Sequence, residues 1–373
     1  MRQIFSGAQI FDGARLLVDQ ALIVENGVIT GLEAAAPGDT VFKGGILAPA
    51  FVDLQVNGGG GIMLDGQADA GRIAAICATH ILQGCVGVLP TLITDSPAAT
   101  RRVISAGIKA AQANVPGFLG LHLEGPHLDS RRKGAHDAAL IRPMGAEDLE
   151  LLLKAAQSLP TLKVTIAPCA VTLDQVRALA QAGVIVSLGH SDCHYDEALA
   201  YIAAGARCAT HLFNAMAPIA ARETGLAGAV LDTTLPAGII ADGFHVSPPA
   251  LRLALAARPD GLFLVSDCMA FAGTDLTEMV LGGRRIQRNA GRLTLEDGTI
   301  AGADLRLDRA LSVMVRQIGV APEKALAMAT STPAALIGMT GALGHLAPGR
   351  RADMVYLNQD WQLEKIWWGG VAL

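Results

Sequence analysis

From Phe51 to Asp267 the chain repeats one alternation. A short apolar run, rich in branched residues, is followed by an alanine-rich stretch with helical spacing. The runs are FVDLQVN (51–57), VGVLPTLIT (86–94), FLGLHLEG (118–125), KVTIAPC (163–169), VIVSLGH (184–190), RCATHLF (207–213), AGIIADG (237–243) and LFLVSD (262–267). Helical patterns between them include 69–85, 173–183, 195–205 and 247–257. Strands that read as continuous apolar runs are covered on both faces, which points to a parallel sheet with helical crossovers. Eight such units predict an α/β fold of the (β/α)8 TIM-type barrel class. An open doubly wound sheet is the alternative. It has less support, because no GxGxxG follows a strand and opens a helix, and GGGG (58–61) stands in the wrong context for a dinucleotide.

The two ends differ in style. QIFSGAQIFDG, RLLVDQALIVENGVITGL and TVFKGGILAP are apolar runs broken by Asp-Gly, Asn-Gly and Gly-Gly. That is hairpin chemistry and predicts an antiparallel sheet. GHLAPGRRADMVYLNQD and LEKIWWGGVAL repeat the style near the other end. Residues 1–48 and 343–373 are therefore expected to form one small β-sandwich domain. Residues 49–342 are expected to form the barrel.

Composition narrows the function classes. Half the residues (51%) are hydrophobic and 17% are charged, which supports a large core and argues against disorder. A net charge of −5 without a basic run argues against nucleic acid as a partner. The N-terminal segment carries Asp12 and Arg15 where a signal peptide needs an apolar stretch, and no apolar run is long enough to suggest a membrane span. The cysteines form no CxxC pair and read as buried residues of a reducing compartment. The expected location is cytoplasmic.

Chemistry in such a barrel sits at the carboxyl ends of the strands. There the chain places Gln55 and Asn57, His122 and Glu124, His190, His211 and Asn214, Asp242 and His245, and Asp267. A lone histidine at a strand end is usually structural. Polar ends on six strands are hard to explain as packing. Glu124, His190 and His211 offer one oxygen and two nitrogens to a divalent metal and leave a position for water. Asp267 can then move a proton to and from that water. His122, two residues from Glu124 on the same strand face, is an alternative ligand. HSDCH (190–194) could form a local clip, but His194 reads as the start of a helix. Arg131, Arg132 and Lys133 read as a solvated loop. Arg222, beyond His211 and Asn214, suits a phosphate or carboxylate. His80 reads as structural, and His127 has no assigned role.

Several segments in order resemble one family: PAFVDLQVNGGGG, LPTLIT, HLEGPHLDSRRKGAHD, SLGHSD, ATHLFNAM, RETGLAGAVLD, ADGFHV, LVSDCMA and GTIAGADL. The chain resembles the N-acetylglucosamine-6-phosphate deacetylases of the metal-dependent amidohydrolase superfamily over nearly its whole length. The resemblance implies hydrolysis of the acetamide of N-acetyl-D-glucosamine 6-phosphate. It implies Glu124, His190 and His211 as ligands of one divalent metal ion, Zn or Fe(II), and Asp267 as acid and base. It implies substrate contacts at Ala135, His136, Asn214, Ala215, Arg222, Asp242, Gly243, Phe244, His245, Ile300, Ala301 and Gly302. His136 would polarise the carbonyl, while Arg222 and His245 would hold the phosphate. It further implies a homodimer in which Arg222 reaches the partner's site. Gln55-Val56-Asn57 stands where many amidohydrolases have His-x-His, which points to a one-metal site. The galactosamine epimer, another amidohydrolase reaction and a non-catalytic sugar-phosphate binder are the rival readings.

Overall fold

The computed structural model of the chain describes residues 1–34, 38–281 and 283–373. All eight expected barrel strands are present: β1 (Phe51–Val56), β2 (Cys85–Ile93), β3 (Leu121–Glu124), β4 (Leu162–Ile166), β5 (Ile185–Leu188), β6 (Cys208–Ala209), β7 (Ala237–Ile239) and β8 (Leu262–Leu264). They form one sheet in chain order, each parallel to the next. The ring closes where the chain beyond β8 meets β1. Asp267 N–H donates to Gln55 O at 3.0 Å, and Ser266 N–H donates to Asp53 Oδ2 at 3.2 Å. The parallel barrel is therefore the fold, and the open sheet is not.

Most strands are shorter than their apolar runs. β6 is two residues long, because the chain leaves the sheet before His211. Helices follow the strands, including α1 (Ala70–Ile81), α2 (Pro97–Gln112), α3 (Ala146–Ala156), α4 (Leu173–Gln181), α5 (Tyr195–Ala203), α6 (Gly225–Asp232) and α7 (Pro248–Ala257). Their starts are written in the sequence: Asp69 Oδ1 accepts from Arg72 N–H, and Ser96 Oγ accepts from Ala99 N–H. Leu121, Leu123, Val164 and Ile166 belong to the main apolar cluster, which also takes in α1 to α7. The alternate residues of β3 and β4 are polar, yet buried. His122 joins Thr91 and Thr165, Thr165 joins Thr210, and Thr210 joins Ser187. This chain of hydrogen bonds lets a polar interior remain closely packed.

The chain ends form two further sheets that share an apolar core of Phe5, Leu22, Phe42, Leu47, Met354, Tyr356 and Trp367. One sheet joins Ile46–Pro49 to Met354–Leu357, so both ends of the chain contribute to it. Asn26-Gly27 makes the expected tight turn, with both residues at positive φ. The sheets are not purely antiparallel: Arg2–Ser6 pairs in parallel with Thr40–Val41, and Gln9–Phe11 with Ile46–Pro49. A four-stranded sheet between Glu278 and Ala303 was absent from the sequence reading. Cys169 is exposed, and the remaining cysteines are buried and free. Among the described residues no helix is long and apolar enough to cross a membrane.

Candidate active site

Alternation along β3 turns His122 and Glu124 into the barrel. Their fates differ. Both His122 nitrogens are spent, on Thr91 Oγ1 at 3.2 Å and Thr165 Oγ1 at 2.7 Å. Burial also holds this ring well below its ordinary pKa. His122 thus supports the site from below and is no ligand. Glu124 Oε1 lies 3.2 Å from His190 Nε2 and 2.9 Å from His211 Nε2, and the two imidazole nitrogens are 3.0 Å apart. Burial opposes the Glu124 charge, but the two histidines outweigh it and hold the carboxyl well below its usual range.

Two of these residues have unusual backbones. His190 has φ +45° and His211 φ +31°. Such a conformation costs a non-glycine residue about 1–3 kcal/mol and persists only where the surroundings impose it. The gain is direction, because both rings turn from their strand ends toward Glu124. Arg132 O fixes the His190 tautomer by accepting from Nδ1–H at 2.9 Å. The Nε2 lone pair is then free to face Glu124. The Arg131–Lys133 loop is accordingly more than a solvated connection. Arg131 and Arg132 also pair with Asp129 and Asp192. All three candidate ligand atoms lie within 4.8 Å of one another. Donors packed this tightly must share protons or surround a cation, and one carboxylate with two imidazoles suits a divalent transition metal.

Asp267 stands beside this set, also at positive φ (+50°). Gln55 Nε2 donates to Glu124 Oε1 and to Asp267 Oδ1, both at 3.1 Å. Asn57 Nδ2 donates to Asp267 Oδ1 at 2.8 Å. One amide therefore bridges two buried carboxylates. Burial, and then the Glu124 charge, push the Asp267 carboxyl above its ordinary range. A carboxyl shifted upward in this way takes up a proton more readily than an ordinary aspartate.

His136 completes the cluster. Its Nε2 is 3.9 Å from Glu124 Oε2. Its Nδ1 accepts from Thr94 N–H at 3.2 Å, so Nε2 carries the hydrogen and points it into the site. Burial and the neighbouring His190 lower its pKa to about 3. At neutral pH it is an uncharged donor. Thr94 and Gln55 were not anticipated as partners. LPTLIT, which holds Thr94, was the available signal.

These groups open into a cavity of about 200 Å³. Ala135, Asn214, Ala215, His245, Ile300, Ala301 and Gly302 line it with the cluster, and Leu281 and Met269 add apolar wall. Asp242, Gly243 and Phe244 do not line it. Asp242 instead orients His245, accepting from its Nδ1–H at 2.6 Å and from two backbone N–H groups. Arg222 also lies elsewhere, exposed in a surface depression with Tyr195, Glu223 and Asp232. His194 caps α5 and bonds Glu223, so HSDCH forms no clip. His127 is buried outside the cavity, its Nδ1 on Arg142 O.

Known proteins resemble this chain over most of its length. The Amidohydrolase family profile matches residues 46–367. N-acetylgalactosamine-6-phosphate deacetylase of Shewanella sp. (strain ANA-3) is 34% identical over 94% of this chain and 90% of its own length. N-acetylglucosamine-6-phosphate deacetylase of Homo sapiens is 35% identical over 88% of this chain and 83% of its own. The crystal structure of N-acetylglucosamine-6-phosphate deacetylase from Pasteurella multocida superposes with a TM-score of 0.94 at 30% identity, covering 100% of both chains.

Proposed function

We propose that this chain, which belongs to the Amidohydrolase family, hydrolyses N-acetyl-D-glucosamine 6-phosphate to D-glucosamine 6-phosphate and acetate. One observation carries the reading. A three-donor set, a raised carboxyl and a neutral N–H donor converge in one cavity. The galactosamine epimer is the second reading, favoured by the Shewanella relative.

Glu124, His190 and His211 would hold one divalent ion, zinc or ferrous iron. That ion would lower the pKa of a coordinated water and polarise the acetamide carbonyl. Asp267, as carboxylate, takes the proton from the attacking water. Gln55 and Asn57 keep its oxygens aimed during the transfer. His136 Nε2–H donates to the oxygen on which negative charge develops. Asp267 then returns its proton to the amine nitrogen as the C–N bond breaks. Ala135, Asn214, Ala215 and Ile300 to Gly302 surround the sugar, and Asp242 to Phe244 shape the loop behind His245. His245 and Arg222 hold the 6-phosphate, with Arg222 reaching the cavity of a second copy in a homodimer. Phosphate contacts far from the acetamide supply binding energy. A charged substrate that cannot cross a bilayer, and free buried cysteines, suit a cytoplasmic location.

Asp267→Asn tests the assignment. The variant should fold, keep its metal and lose almost all turnover. Substantial activity in a metal-loaded Asp267→Asn protein would rule it out.

A further inference from the structure

Resting on that assignment of Asp267, we infer that His80 is a positioning residue for it, acting through Gly58 and Asn57. His80 lies on α1, buried, and lines no part of the cavity. Its Nε2 is 2.9 Å from Gly58 O and 3.6 Å from Cys268 Sγ. A carbonyl can only accept, so Nε2 carries the hydrogen and donates it to Gly58 O. Burial lowers the pKa of this ring and so favours its neutral form. Cys268 Sγ lies 3.7 Å from the same carbonyl. The Gly58 carbonyl thus accepts from both the His80 imidazole and the Cys268 thiol, which joins the loop after β1 to the residue that follows Asp267.

The glycine run explains how close these loops come. Gly60 N–H donates to Ala272 O at 2.8 Å, and Gly61 N–H to Ala270 O at 2.9 Å. A Cβ on Gly58 would stand 2.3 Å from Ile62 O and 3.0 Å from Ala270 N. No side chain fits there. GGGG is therefore the lacing between the β1 and β8 loops, which gives the run a purpose that nucleotide binding did not.

Asn57, one residue earlier, transmits the hold. Its N–H donates to Cys268 O at 2.9 Å, and its Nδ2 bonds both the carboxylate and the carbonyl of Asp267. Asp267 sits in a left-handed conformation that its neighbours must enforce. Releasing Gly58 loosens Asn57, and with it the aim of the carboxylate. The donor set loses no ligand, because Glu124, His190 and His211 come from other loops.

Two substitutions separate positioning from mere packing. His80→Gln can present its Nε2–H where the imidazole did. His80→Leu keeps apolar bulk without a donor. The metal-loaded proteins are compared by hydrogen exchange of peptides spanning 55–64 and 266–272, and by kcat and KM. Ångström-scale misplacement predicts a kcat loss of up to about a hundredfold for His80→Leu, with KM and metal content kept. Exchange in both peptides should quicken, and His80→Gln should restore most of both. Should His80→Leu not fold, Gly59→Ala replaces it, since its Cβ would stand 3.0 Å from His80 Nε2 and displace the ring. Unchanged exchange, or quickened exchange with wild-type kcat, overturns the inference. An inactive wild type would instead sink the substrate reading, while the exchange data still judge the clamp.

Discussion

His136→Asn keeps an acceptor where Nδ1 stood and shortens the side chain, so that no donor reaches the Nε2 position. In the wild type, Thr94 N–H donates to Nδ1 and leaves Nε2–H facing the site, 3.9 Å from Glu124 Oε2. An asparagine Oδ1 occupies the place of Nδ1, so the Thr94 bond survives and the loop stays satisfied. The amide Nδ2–H stops short of where Nε2–H stood, so the donor aimed into the site is lost. In a buried site, deleting a donor aimed at a developing oxyanion lowers kcat by about 100- to 1000-fold, or about 2.7–4 kcal/mol. The ground-state carbonyl carries less charge, so KM should move by only about threefold. The pH dependence sharpens the test. Burial and His190 hold the ring pKa at about 3, and a bound cation would depress it further. His136 is then neutral throughout the working range, and the loss should be the same at mildly acid and mildly alkaline pH. Steady-state acetate release by metal-loaded protein measures it. A variant with a third of wild-type kcat, or a deficit that vanishes at one end of the pH range, would refute the donor role.

Arg222→Ala should raise KM for the phosphorylated sugar by about 10- to 100-fold, as expected for a lost charge-assisted contact. If Arg222 serves the second copy, mixing this variant with Asp267→Asn should regenerate activity, since one site per heterodimer is then complete; no gain on mixing would contradict the shared site. Asp53 should make stability fall as pH rises. Burial lifts its carboxyl from 3.8 to about 7, so the folded chain holds a proton that the unfolded chain releases. The contribution is complete below the unfolded pKa and is lost as pH climbs through about 7, a change of order a few kcal/mol. Asp53→Asn keeps Oδ1, which accepts from both Gln55 N–H and Ser266 N–H. Thermal melts from pH 4.5 to 7.5 should therefore converge on, or cross, those of the variant, and parallel curves would exclude the effect.

Periodicity made the barrel legible. Each strand is an apolar run too short for a helix, and each is followed by alanine-rich helical spacing. The polar residues that end those runs exposed the site before any contact was known. The sheet between Glu278 and Ala303 was missed because its strands are half exposed and carry many arginines. Its signal was period-two alternation in RRIQRN with turns at NAG and EDG. Partnerships across long separations were also beyond reach. Gln55 bridges Glu124 and Asp267, residues 69 and 212 positions away, and no local pattern encodes that. Arg132 serves through its backbone carbonyl, which any residue could supply, so its side chain was misleading. The loop from Asp242 to His245 was read as four contacts, whereas the Asp242 carboxylate is spent on orienting the ring.

The most direct measurement is acetate release by purified, metal-reconstituted protein given N-acetylglucosamine 6-phosphate, N-acetylgalactosamine 6-phosphate and unphosphorylated N-acetylglucosamine. The account predicts rapid turnover of the first and little of the third. Turnover of the second alone would move the substrate to the epimer and leave the mechanism standing. No turnover of any, with metal bound, would contradict the deacetylase reading itself.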